Sequence, residues 1–152
     1  MTRPSLYFED VEVGSTFTTL RRTITEADIV NFAGVSGDFN PLHMDAEFAK
    51  DSLFGQRVAH GVLVLGVATG LRQGIGLFDG TLMGLLELRT WRFLAPVFIG
   101  DTVRVETEIV ELRPTSKPDR GVMTQRVSVL KQGDTLVQQG ELVALLKRKE
   151  SA

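Results

Sequence analysis

Apolar and polar residues alternate most cleanly between Asp101 and Glu111, where Val103, Val105, Thr107 and Ile109 interleave with Arg104, Glu106 and Glu108. A period of two places each set on its own side of an extended chain, so this stretch predicts a half-buried strand. Leu82 to Phe93, Val122 to Lys131 and Thr135 to Leu146 predict three more strands, the last two joined as a hairpin through Gly133 and Asp134. A first strand is predicted around Ser15 to Ile24.

Between the first strand and the rest the pattern turns helical. Thr25 can cap a helix running from Glu26 to about Gly34, with Asp28 three residues on to complete a capping box. The run Val35-Ser36-Gly37-Asp38-Phe39-Asn40-Pro41-Leu42-His43 predicts a loop, because Gly, Asp and Asn favour turns and Pro41 drives Asn40 out of helical geometry. Asp45 then caps a short helical turn from Ala46 to about Asp51. A longer helix follows from Gly61 to about Gln73, and its Val62, Leu63, Val64, Leu65, Val67, Ala68 and Leu71 leave no polar face. A helix apolar all round predicts burial on every side. Successive strands after such a helix imply an α+β fold in which an antiparallel sheet curls around it. The open edges of that sheet predict pairing with a second copy in a homodimer.

Composition narrows the function classes. The 152 residues fit one domain spanning 1–152 with a core large enough to need no staple. No internal repeat or low-complexity linker divides them. A net charge of −2 speaks against a nucleic-acid binder, which needs a basic surface. The absence of cysteine rules out disulfides and thiolate chemistry, and with it the cytoplasm is the expected compartment. Met1 to Asp10 lacks the apolar run of a secretory signal. Val58 to Leu71 falls short of the roughly 20 apolar residues that a membrane span requires.

The chemistry-bearing residues cluster in the loop. Asp38 and His43 put a carboxylate and an imidazole five residues apart on a constrained segment. Asn40 between them has the side chain of a loop organiser, and His60-Gly61 opens the apolar helix. Taken singly, Asp38 would be a turn residue bonding its own backbone and His43 a satisfied structural histidine. A metal site from Asp38, His43, Asp45 and His60 follows no familiar ligand spacing, and no metal or cofactor is expected. Gly70, Gly74, Gly76 and Gly80 do not form a dinucleotide fingerprint.

Read with Phe32 upstream and Ala49 downstream, Ser36-Gly37-Asp38-Phe39-Asn40-Pro41-Leu42-His43 resembles the signature of the MaoC-like dehydratases, the (R)-specific enoyl-CoA hydratase family of hot-dog proteins. Tyr7 to Gly14, Arg22 to Asp28, His60-Gly61 and Phe93 to Asp101 extend the similarity over nearly the whole chain. The resemblance implies a hot-dog fold and addition of water to a trans-2-enoyl thioester of coenzyme A or acyl carrier protein, or the reverse dehydration. By the same resemblance Asp38 is the principal base, His43 helps to hold and activate the water, and Thr69 falls where some members carry a serine facing the site. Negative charge developing on the thioester oxygen needs a donor, which the Gly61 N–H at a helix start can supply. Asn40 and Thr69 stand as secondary site residues. Phe32, Phe39, Phe48, Phe54 and Trp91 are candidates for an acyl pocket as well as for plain core.

Two other functions fit the same fold. A thioesterase would need a carboxylate or water-orienting group elsewhere, often on the central helix, and Val62 to Arg72 carries no acid. A non-catalytic acyl-CoA-binding homologue would be expected to have lost its proton carriers, and this chain keeps both.

Overall fold

The computed structural model describes residues 4–150. The first three residues, where the reading of the N-terminus begins, and the last two of the expected domain lie outside the described residues. A 3-10 turn at Phe8–Asp10 leads into short strands β1 (Thr16–Thr18) and β2 (Arg22–Thr23). Helices α1 (Glu26–Ser36), α2 (Pro41–Met44), α3 (Ala46–Lys50) and α4 (Gly61–Gln73) follow, and then strands β3 (Leu82–Phe93), β4 (Thr102–Pro114), β5 (Arg120–Lys131) and β6 (Thr135–Lys147). One antiparallel sheet in the order β1-β4-β5-β6-β3, with β2 also on β4, curls around α4. This is the hot-dog fold expected from the sequence.

Local chemistry explains the elements. Thr25 caps α1 in a full capping box with Asp28, and α1 ends where Gly37 takes a left-handed φ of 77°. α1 therefore runs two residues past the expected Gly34 and takes Val35 and Ser36 out of the predicted loop. The predicted first strand is broken. At Thr19 the side-chain hydroxyl, 3.0 Å away, accepts the Val105 N–H, and Leu20 turns out to solvent before β2 begins. The β5–β6 hairpin turns through Gly133 and Asp134, both at positive φ.

Helix α4 departs from expectation in one respect. Leu63, Val64, Val67 and Ala68 are buried against Val103, Val105, Val127, Val129 and Val137 of the sheet, and each leucine or valine side chain contributes about 1.5–3 kcal/mol by leaving water. Val62, Gly66, Thr69 and Gly70 are exposed. The sheet of one chain covers a stripe of the helix, not its whole circumference. A smaller cluster of Val11, Ile109, Met123 and Leu146 closes the far end.

The loop before β4 is held by a nearly buried carboxylate. Asp101 accepts from the Phe98 N–H (2.9 Å), Lys131 Nζ (3.0 Å) and Gln132 Nε2 (2.6 Å), while Lys131 also donates to the Pro96 carbonyl (3.0 Å). Burial works against ionisation of Asp101, but these three donors together outweigh it and hold the carboxyl below its ordinary range. A depressed folded-state pKa stabilises the protein above the unfolded value near ~3.9, and that stability is lost as pH falls through the folded value. Asp101→Asn should therefore cost about 2 kcal/mol in urea unfolding at neutral pH, with the gap to the native chain closing below about pH 4. A gap that stays constant down to strongly acid pH would assign the cost to packing and not to charge.

Candidate active site

The segment linking α3 to α4 is pinned on three sides. The Val58 N–H donates to the Leu42 carbonyl (3.1 Å), the Ala59 N–H to the Val97 carbonyl (2.8 Å), and the Val58 carbonyl accepts from His43 Nδ1 (2.7 Å). A carbonyl can only accept, so His43 Nδ1 carries the proton and Nε2 is left to face outward. Nε2 lies 3.9 Å from Asp38 Oδ2. His43 is mostly enclosed, and the Asp38 side chain is 51% exposed.

Each of the other predicted residues has a definite place. Asn40 caps α2 by accepting the Leu42 N–H (3.0 Å), and its own N–H donates to Asp38 Oδ1 (3.2 Å), so it organises the loop that presents the carboxylate. Pro41 at the first position of α2 turns part of the predicted loop into a short helix. Asp45 caps α3 through the Phe48 N–H (3.0 Å). Gly61 opens α4, and the preceding His60 supplies no side-chain cap to the first-turn N–H groups. Thr69 is not brought to the pair. It lies about 12 Å further along α4, donates to the Gly66 carbonyl (2.7 Å) and lines a different cavity.

His60 is more engaged than its sequence position implied. Buried at 3% exposure, it donates from Nε2 to the Asp38 carbonyl (2.9 Å) and stacks on His43 with ring centroids 3.8 Å apart. Its Nδ1 has no hydrogen-bond partner among the described residues. Asp38, His43 and His60 bring ligand atoms within 4.8 Å of one another, and each imidazole has one nitrogen committed as a donor to a backbone carbonyl.

A cavity of about 760 Å³ opens beside this cluster, walled by His43, Phe54, Gly61, Val62, Phe93 and Gln138 among others. Asp38 is not among the residues that wall it. Of the aromatic candidates Phe54 lines the cavity; Phe32 packs on His60, and Phe39 and Phe48 face solvent. Trp91 serves through Gln138. Its Nε1–H donates to Gln138 Oε1 (3.1 Å), and Gln138 Nε2 donates to the Gly61 carbonyl (2.9 Å). Gln138 and Phe93 were missed because their roles depend on cross-strand register, although a glutamine at an inward position of β6 was a visible break in its apolar face.

The fold is that of a hot-dog protein, with an acid and an imidazole paired next to its first cavity. Residues 10–132 match the MaoC like domain. The chain is 38% identical to a 3-hydroxybutyryl-CoA dehydratase of Methylorubrum extorquens over 97% of this chain and 88% of that one. It is 32% identical to an (R)-specific enoyl-CoA hydratase of Aeromonas caviae over 91% and 97%. It superposes with a TM-score of 0.91 on a monoamine oxidase regulatory protein from Archaeoglobus fulgidus, 38% identical, covering 98% of this chain and 99% of that one. The chain belongs to the MaoC-like dehydratase family.

Glycine at 61 has a steric reason here, since a Cβ would sit 2.7 Å from the Phe93 ring. Gly61→Ala should therefore cost about 1–3 kcal/mol, and adding Phe93→Leu should recover most of it, as a double-mutant cycle in denaturant would read. Additive losses would show that the ring yields freely.

Proposed function

We propose that the protein is a hydratase that adds water to trans-2-enoyl thioesters, with coenzyme A as carrier, to give (R)-3-hydroxyacyl thioesters, or runs the reverse dehydration. The observation that carries this reading is the 3.9 Å gap between His43 Nε2 and Asp38 Oδ2, with Nδ1 committed to the Val58 carbonyl. That gap is too long for a direct hydrogen bond and suits a water held by both groups.

In hydration, the water oxygen forms a bond to C3 as Asp38 takes one of its protons and His43 steadies the water through Nε2. The C2–C3 π pair moves toward the thioester, giving an enolate whose oxygen faces the N-terminus of α4. The Gly61 N–H there is a preorganised donor, aided by the positive end of the helix dipole. The proton taken by the acid-base pair is then returned to C2. Asp38 and His43 approach within 3.9 Å of each other, so one acid-base pair delivers both the hydroxyl and the proton to the same face, which is syn addition. The (R) configuration follows the name of the Aeromonas caviae relative. Gln138, bonded to the Gly61 carbonyl and braced by Trp91, holds the first peptide of α4 in register with the acid-base pair.

The regulatory name of the Archaeoglobus fulgidus neighbour keeps one rival in view, a binding protein without turnover. Crotonyl-CoA separates the readings. Loss of its enoyl absorbance without release of thiol is expected. Thiol release would indicate a thioesterase, and no change would indicate a binding protein. Asp38→Asn and His43→Gln should each lower turnover by about 10²-fold or more with the circular dichroism spectrum intact. Wild-type turnover in either variant would overturn the assignment.

A homodimer completes the proposal. Leu82, Met83, Leu85, Leu86 and Leu88 on β3 are all exposed, although a strand apolar at consecutive positions is the pattern of one covered on both faces. β3 is also an edge strand. Light scattering should give a dimer or a dimer-based assembly, and a monomer at micromolar concentration would refute it.

A further inference from the structure

The bonds that hold Asp38 differ in kind. Its N–H donates to Ser36 Oγ (3.1 Å), and its Oδ1 accepts from the Asn40 N–H (3.2 Å). Both partners stand two residues away in the chain, so these bonds shape the loop without fixing where it sits. The Asp38 carbonyl accepts from His60 Nε2 (2.9 Å), 22 residues on and immediately before Gly61. That bond places the acid against the start of α4. Oδ2 is then the oxygen left to face His43 Nε2 at 3.9 Å.

Packing alone does not explain why an imidazole stands at position 60. A carbonyl only accepts, so His60 Nε2 carries the ring proton and Nδ1 is an acceptor. That Nδ1 is buried without a hydrogen-bond partner among the described residues, and a buried unsatisfied polar atom calls for a compensating role. The ring packs against His43 (centroids 3.8 Å apart, planes 28° apart) and against Phe32 (4.8 Å, 58°). A phenyl ring would make the same kind of contacts without the orphaned nitrogen, so shape is not what the imidazole adds. Nor does it cap α4. Ser, Asp or Asn at this position would take a first-turn N–H with its side-chain oxygen, whereas the His60 side chain makes no such bond and turns to Asp38. His60 is not among the residues that wall the cavity beside His43, so it acts there through its neighbours.

We propose that His60 is a positioning residue of the reaction, whose Nε2–H holds the Asp38 peptide in register with the Gly61 N–H so that base and oxyanion donor act on one substrate. The proposal rests on the hydratase reading and assigns the residue that joins its two halves. His60→Phe keeps a stacking ring and removes the donor. It should lower kcat for crotonyl-CoA by about 10-fold or more, with KM within about 2-fold of native because no substrate contact is lost. His60→Gln restores an N–H donor near the place of Nε2 and should return kcat to within about 3-fold of native. A merely structural histidine would give losses that follow the melting temperature of each variant and no rescue by glutamine. The chain holds two histidines, so nitrogen NMR of the native protein resolves both rings and keeps the test decisive if His60→Phe folds poorly. His43 should carry its proton on Nδ1 and His60 on Nε2. With the native protein active, the proposal alone is overturned by native kcat in His60→Phe, by equal losses in the two variants, or by a His60 proton on Nδ1. A native protein without turnover overturns the hydratase reading and this proposal with it.

Discussion

The hydrogen bond from His43 Nδ1 to the Val58 carbonyl joins the two segments on which the site depends. It fixes which imidazole nitrogen faces Asp38, and it ties α2 to the strand-like stretch just ahead of α4. The neighbouring bonds repeat the link in parallel: the Val58 N–H reaches back to Leu42, His60 Nε2 reaches back to the Asp38 carbonyl, and Arg57 Nε donates to the His43 carbonyl (2.7 Å). A loop carrying a half-exposed carboxylate would otherwise wander. Here its backbone is held by groups belonging to the start of the core helix, so the acid, the imidazole and the Gly61 N–H move as one body.

That body is in turn seated on the sheet. Ala59 bonds the Val97 carbonyl, the loop from Pro96 to Asp101 is gripped by Lys131 and Asp101, and Gln138 of β6 reaches the Gly61 carbonyl. Trp91 can meet Gln138 because β3 is irregular there: Thr90 takes a positive φ of 52° and the register with β6 shifts between Arg89 and Arg92. Gly140 opposite leaves room, since a Cβ would stand 2.7 Å from the Trp91 ring. A bulge of this kind re-aims a side chain at a small cost in pairing.

Much of this was legible in the chain. Period-two alternation marked β4, β5 and β6 because their two faces meet different surroundings, and the Thr25, Asp45 and Gly133 signals fixed ends that are set by local geometry. Asp38 and His43 were legible through the pattern of residues around them. What escaped was set across the sheet. Neither Gln138 nor Phe93 is close in sequence to the loop, and no periodicity announces the bulge at Thr90. The break at Thr19 was hidden for a related reason, since a threonine hydroxyl replaces a ladder bond only when the facing N–H is known.

The misreading of α4 is the most informative. An all-apolar helix predicted complete enclosure, yet one chain leaves Val62, Gly66, Thr69 and Gly70 uncovered. β3 errs in the same direction, with apolar residues exposed on both of its faces. The two surfaces adjoin, because Val62 and Phe93 wall one cavity while Thr69 and Leu85 wall the other. Sequence patterning reports the burial a residue needs in its working state, whereas a single chain reports what that chain can supply. The excess of apolar surface along this joint face measures the difference between them. Both cavities open along that face, so whatever covers it in solution also decides how deep each cavity is.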